Sequence, residues 1–239
     1  MPGLAETSAP VGAIRLHYVG NSRTPLLVVD DFYPEPDALV EAAGEGQPFG
    51  KLDDFYPGVR KPLPGHYIAF LRSALPAVLW LAVENDNAFS VSFAQFSMAT
   101  ASPDALLPIQ RIPHVDTTIN NEWAMVHYLF DNPKDGTAFY RHKETALERV
   151  NTSEHSRYIQ CLKTQATTVG LPPAEYIQGS TALFDQTDKV DAIYNRAIFY
   201  PANVFHSGCI QVGSGLSNVP SRGRLTANCC ITIGKSQAQ

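Results

Sequence analysis

Three side chains set out the chemistry open to this sequence. His114 and Asp116 stand two residues apart in PHVDTT, and His206 follows far downstream in FYPANVFHSG. Two imidazoles and one carboxylate cover three positions around a ferrous ion and leave three for oxygen and substrate, the donor set of oxygen activation at non-haem iron. On extended chain His114 and Asp116 point the same way and can grip one ion, while Val115 faces away. An HxD pair alone is a weak signal, because short polar pairs occur in many loops.

The setting of His206 strengthens it. The residue closes an apolar run, AIFYPANVF, and precedes Ser207 and Gly208, so it is expected at a strand end where a barrel would open. The ordinary reading of one such histidine is a hydrogen-bonded group at the rim of a core. That reading must also explain the arginine downstream. In RLTANCCITI the alternation puts Leu225, Ala227, Cys229, Ile231 and Ile233 on one face and Arg224, Thr226, Asn228, Cys230 and Thr232 on the other. The apolar face should pack under helices and the polar face should line something wet or hold a ligand. A guanidinium at its head suits the distal carboxylate of a small dicarboxylate, since its planar fork makes two charge-assisted hydrogen bonds at once. Thr226 could add a hydroxyl to the same group.

EWAMVHYLFDN supplies a further candidate. Tyr128 shares a face with Ala124, Val126 and Phe130, and can offer its phenol to that carboxylate while its ring packs in the barrel. His127 shares the opposite face with Trp123, Met125 and Leu129 and reads as a core histidine. His17, His66 and His155 have no partner at ligand spacing. His142, in FYRHK, is the strongest rival ligand, but Arg141 and Lys143 beside it would oppose a bound cation.

These groups need a scaffold, and the pattern around them supplies one. TPLLVVDDFYPEPDALVEAAGEG reads as a buried strand over Leu26 to Val29 and a helix starting near Pro36, ended by the glycines at 44 and 46. A second helix is expected from about Pro64 to Leu81, broken or kinked at Pro76. From Phe89 onward SVSFAQFSMAT, EWAMVHYLFDN, GTAFYRH, NRAIFYPANVF, CIQV and RLTANCCITI read as short strands bounded by turn residues. The expectation is mainly β with flanking helices, a jelly-roll or cupin-like barrel, as one domain over 1–239. Within it, 1–85 supplies the first strand and supporting helices, and 86–239 the core, with a polar, partly helical insertion at about 143–171.

At this point the residues resemble the 2-oxoglutarate and Fe(II)-dependent dioxygenases, and are most similar to the prolyl-hydroxylase-like branch. The likeness runs from about Leu26 to Ile233 and rests on LLVVDDFYPEPDALVEAA, PHVD, AMVHYLFDN with GTAFYRH, and RAIFYPANVFHSG with RLTAN, in the family's order. The resemblance implies a double-stranded β-helix, iron held by His114, Asp116 and His206, and the C5 carboxylate of 2-oxoglutarate paired with Arg224 and assisted by Tyr128 and Thr226. It also implies a hydroxylase, since related halogenases replace the carboxylate that Asp116 retains. A Gly/Ser-rich hairpin, VGSGLSNVPSRG, lengthens the interval between His206 and Arg224, so Arg222 stands as an alternative to Arg224. This hairpin and the 143–171 insertion are both candidates for a lid.

Composition narrows the partners. The chain has 239 residues, 44% hydrophobic and 17% charged, enough for one sizeable core. A net charge of -5 with no Lys/Arg run provides no footprint for nucleic acid. No stretch reads as a signal peptide or membrane span, so a soluble, cytoplasmic protein is expected. Cys161, Cys209, Cys229 and Cys230 lack CxxC spacing and read as free thiols. The expected substrate is an amino acid, a peptidyl residue or a small metabolite, oxidised with O2. Oligomeric state is left open. A metal cupin acting as an isomerase or as a dioxygenase without 2-oxoglutarate, and a non-catalytic binding module on the same barrel, are the alternatives.

Overall fold

The computed structural model describes residues 12–52, 54–83, 87–211 and 216–235. The fold is mainly β. Its strands are β1 (Ile14–Val19), β2 (Thr24–Val29), β3 (Gly58–Pro62), β4 (Asn87–Ala99), β5 (Glu122–Tyr128), β6 (Asn132–His142), β7 (Phe184–Ala192), β8 (Ala197–Pro201), β9 (His206–Gly208) and β10 (Leu225–Lys235). Three helices accompany them, α1 (Pro36–Gly44), α2 (Gly65–Leu79) and α3 (Thr152–Thr168). A seven-stranded sheet runs β1-β2-β8-β5-β10-β4-β3, and a three-stranded sheet runs β7-β6-β9. Every strand pair in both is antiparallel.

The apolar runs of β2 and β8 follow from burial on both faces of the large sheet. Leu27, Val29, Ala197 and Phe199 point outward to Leu39 of α1 and to Tyr67, Leu71 and Leu75 of α2. Leu26, Val28, Ile198 and Tyr200 point inward, where Phe139 of β6 meets them from the small sheet. On β10 the outer face keeps the apolar set Leu225, Ala227, Cys229 and Ile231 in the helix-packed core. Its inner face carries Arg224, Thr226 and Asn228. The interior between the sheets is therefore apolar at β2, β8 and β5 and turns polar at β10.

Several expectations need correction. α2 runs on through Pro76, which lies on the helix's exposed face, so the carbonyl freed on Arg72 faces water rather than the core. Residues 209–211 of CIQV form no strand; the chain pairs one step earlier, at β9. The run AIFYPANVF is also not one strand: β8 stops at Pro201, the Val204 amide donates to the Pro201 carbonyl at 3.2 Å, and the chain crosses to the other sheet. Three strands absent from the sequence reading are β1, β3 and β7. The insertion packs through α3 against the small sheet. α3 is capped by Asn151, whose side chain accepts from the amides of Ser153 (3.0 Å) and Glu154 (3.1 Å), and Tyr158 packs with Tyr140, Phe184 and Phe205 on the small sheet's outer face. Residues 212–215 of the expected hairpin lid fall outside the described residues.

Candidate metal centre

The segment carrying His114 and Asp116 is added to the edge of the small sheet. His114 donates its amide to the His206 carbonyl at 3.0 Å, and His206 returns the bond at 2.9 Å. The Asp116 amide then donates to the Ala202 carbonyl at 2.9 Å. On the far side of this segment Val115 packs against the cluster of Ile112 and Phe205. The two-residue spacing thus acts as expected: His114 and Asp116 turn inward together, opposite His206.

The ligand atoms of His114, Asp116 and His206 all lie within 4.8 Å of one another. Asp116 bridges the pair, with Oδ1 3.4 Å from His114 Nε2 and Oδ2 3.6 Å from His206 Nε2. First-row divalent metals bind such atoms at about 2.1 Å, which puts neighbouring ligands about 3 Å apart, so small side-chain rotations bring all three onto one ion. His206 Nδ1 donates to the Val204 carbonyl at 3.1 Å, which fixes the tautomer and aims the Nε2 lone pair at the cluster. Its side chain is 8% exposed, against 50% for His114 and 45% for Asp116. One candidate ligand is anchored in the wall while two stand at an open rim.

The electrostatics suit a cation. Burial is the main influence on His206 and lowers its pKa to about 4, outweighing the Asp116 carboxylate, so it is a neutral donor at pH 7. At Asp116 desolvation pushes upward, but the His206 and His114 imidazoles and Arg60 pull harder, holding the carboxyl at about 2. The Tyr200 ring lies 4.9 Å from that of His206. Burial, followed by the charge of Asp116, keeps its phenol well above the ordinary tyrosine value, with Arg224 acting in the opposite sense.

Arg224 is buried at the head of β10, with Nε donating to the Asp135 carbonyl at 3.0 Å and Nη2 to the Gly136 carbonyl at 3.2 Å. Gly208 of β9 makes room for it, since a Cβ there would stand 3.2 Å from Nη2. The Nη1 end is uncommitted among the described residues. Arg222 is exposed, which leaves Arg224 as the interior arginine of the two. Tyr128 donates its hydroxyl to Thr137 Oγ1 at 2.7 Å, and Thr226 donates to the Ser97 carbonyl at 3.3 Å. Of the three residues expected at the cosubstrate, Arg224 is the one with donors to spare.

The other histidines do not join. His142 is held on the outer face by Thr145 (2.8 Å) and Gln165 (2.9 Å), and His17, His66 and His155 are exposed. His127 lies in the helix-packed core between Tyr67 and Asn195. The four cysteines are free, with Cys209 and Cys229 buried. A group the sequence reading missed is Arg60 on β3. Its guanidinium sits 4.1 Å over the Tyr56 ring, donates to Ser97 Oγ at 3.1 Å and adds to the pull on Asp116. No local pattern marks it; only the pairing of both Arg60 and Thr226 with Ser97 brings β3 to this side.

Among the described residues no helix is long and apolar enough to cross a membrane. None of the curated proteins compared matches the chain. A model for a family of unknown function (DUF6445) matches residues 10–231, nearly the whole sequence, and the chain belongs to that family.

Proposed function

We propose that the chain is an Fe(II)- and 2-oxoglutarate-dependent oxygenase that hydroxylates an amino acid, a peptidyl residue or a small metabolite. The observation that carries the reading is the convergence of His114, Asp116 and His206 from two distant segments, with the second nitrogen of His206 already engaged. Strand order adds support. From β4 onward, counting the His114 segment, the strands fall in the large, small, large, small, small, large, small and large sheets, the winding expected of a double-stranded β-helix.

In this reading His114, Asp116 and His206 hold iron from one side. Neutral His206 offers a lone pair without a proton to displace, and ionised Asp116 offsets part of the metal's charge. The uncommitted Nη1 end of Arg224 would take the C5 carboxylate of 2-oxoglutarate, with Gly208 leaving the guanidinium its space. When bound, iron and 2-oxoglutarate supply the activation of O2, with succinate and CO2 released as the substrate gains oxygen. The half-exposed edges of His114 and Asp116 leave the substrate its approach.

The test is anaerobic titration with Fe(II) and 2-oxoglutarate. A visible charge-transfer band should develop in the wild type and be absent in Asp116→Ala. A wild-type protein that takes up no iron and develops no band would end the hypothesis.

A further inference from the structure

The two segments that carry the candidate ligands also wall a second feature, a solvent-open cavity of about 710 Å3 lined mostly by polar and charged residues. Asn120 follows Asp116 on one segment, Asn203 precedes His206 on the other, and the Asn203 side chain donates to Asn120 Oδ1 at 3.0 Å. The volume lies within the range of small-molecule sites, about 300–1,000 Å3. Its wall includes neither Arg224 nor the three candidate ligands, so it is distinct from the cosubstrate position.

Four charged side chains line it, and three are spoken for. Arg141 pairs with Asp185 at 2.8 Å. Glu148 accepts from the amides of Asn21 (2.9 Å) and Ser22 (2.8 Å) and from the Ser22 hydroxyl (2.6 Å). Glu154 closes the cap of α3 by accepting from the Asn151 amide at 3.1 Å. The fourth, Arg149, donates Nε to Asn203 Oδ1 at 2.9 Å and has no carboxylate partner among the described residues. Burial lowers its pKa from the ordinary arginine value, with no neighbouring charge to compensate.

A half-buried guanidinium without an anion is a cost to the folded chain, and an incoming carboxylate relieves it. With Nε fixed by Asn203, the Nη fork is oriented and open to a bidentate partner. We propose that this cavity binds the carboxylate-bearing end of the substrate, with Arg149 as its anchor, Asn203 holding that anchor in place, and Asn120 and Asn151 serving the ligand's polar body. Calling that ligand the substrate rests on the oxygenase reading; the binding itself does not.

The experiment is calorimetric titration of the full-length, metal-free chain with a panel of N-acetyl amino acids and their carboxamides. At least one acid should bind, at least tenfold more tightly than its amide, and Arg149→Gln should erase the preference while Arg149→Lys keeps part of it. If Arg149→Gln does not fold, Arg149→Lys carries the test, since exchanging a planar fork for a point charge should cut the preference at least threefold. Equal binding of acid and amide, no binding by any acid, or a preference unchanged in the variant would each overturn the proposal. The same titration in Asp116→Ala should retain the preference, so failure of the iron reading and failure of this one are separate results.

Discussion

His127 and His206 sit on opposite sides of the large sheet, and burial holds the pKa of both at about 4. What separates them is the fate of the second nitrogen. In the helix-packed core His127 is closed at both ends, with Tyr67 Oη 2.8 Å from Nδ1 and Asn195 Oδ1 3.0 Å from Nε2, and the Tyr67 and Phe32 rings against its faces. His206 spends one nitrogen on Val204 and presents the other to Asp116. Desolvation alone therefore does not mark a ligand. A neutral imidazole becomes a donor when its surroundings satisfy one nitrogen and leave the other facing a carboxylate.

The largest expected effect breaks the comparison on the His206 side. His206→Ala should weaken Fe(II) binding at least a hundredfold, read by calorimetry, while costing about 1–2 kcal/mol of stability, since the Val204 hydrogen bond and the ring contacts with Tyr200 and His114 are lost. Metal affinity close to wild type would remove His206 from the ligand set. His127→Ala should do the reverse. It strands the Tyr67 hydroxyl in an apolar core, leaves Asn195 only its bonds to the Tyr33 backbone and opens a cavity, for a loss of about 3 kcal/mol in urea unfolding, with Fe(II) affinity of the folded fraction unchanged. A melting curve matching wild type would show that the network is not structural.

Acid sharpens what the two histidines share. An imidazole with a folded pKa near 4 and an unfolded value near 6.5 takes fewer protons in the folded state between those limits. Stability should thus be full above about pH 6.5 and fall as the pH drops towards 4, each group accounting for no more than roughly 3 kcal/mol. Urea unfolding of metal-free protein at pH 7 and pH 5 reads this, and His127→Ala should flatten the dependence by about half. An unaltered slope would assign the acid sensitivity to other groups.

How far the sequence foretold this arrangement depended on where each element sits. β2, β5, β8 and β10 lie inside the large sheet and carry dense apolar or strictly alternating patterns, so they were legible. The strands that escaped notice, β1, β3 and β7, are all sheet edges. Edge strands keep a face in water and carry charge or proline, as GVRKP and FDQTDKVDA do, which removes the apolar signal while leaving the backbone pairing intact. The triad was legible because HVD needs only a local extended geometry and His206 follows an apolar run. Arg60 and Arg149 were not, because they gain their place through pairing between strands and through the Arg149–Asn203–Asn120 relay, neither of which leaves a trace in linear spacing.

The reciprocal amide bonds between His114 and His206 also govern timing. Because the peptide ladder fixes the distance between these two backbones, a polypeptide that holds a cation here, as proposed, would shed and recapture it without rebuilding itself. Exchange at such a seat would be paced by side-chain rotation and by diffusion through the open rim, not by refolding.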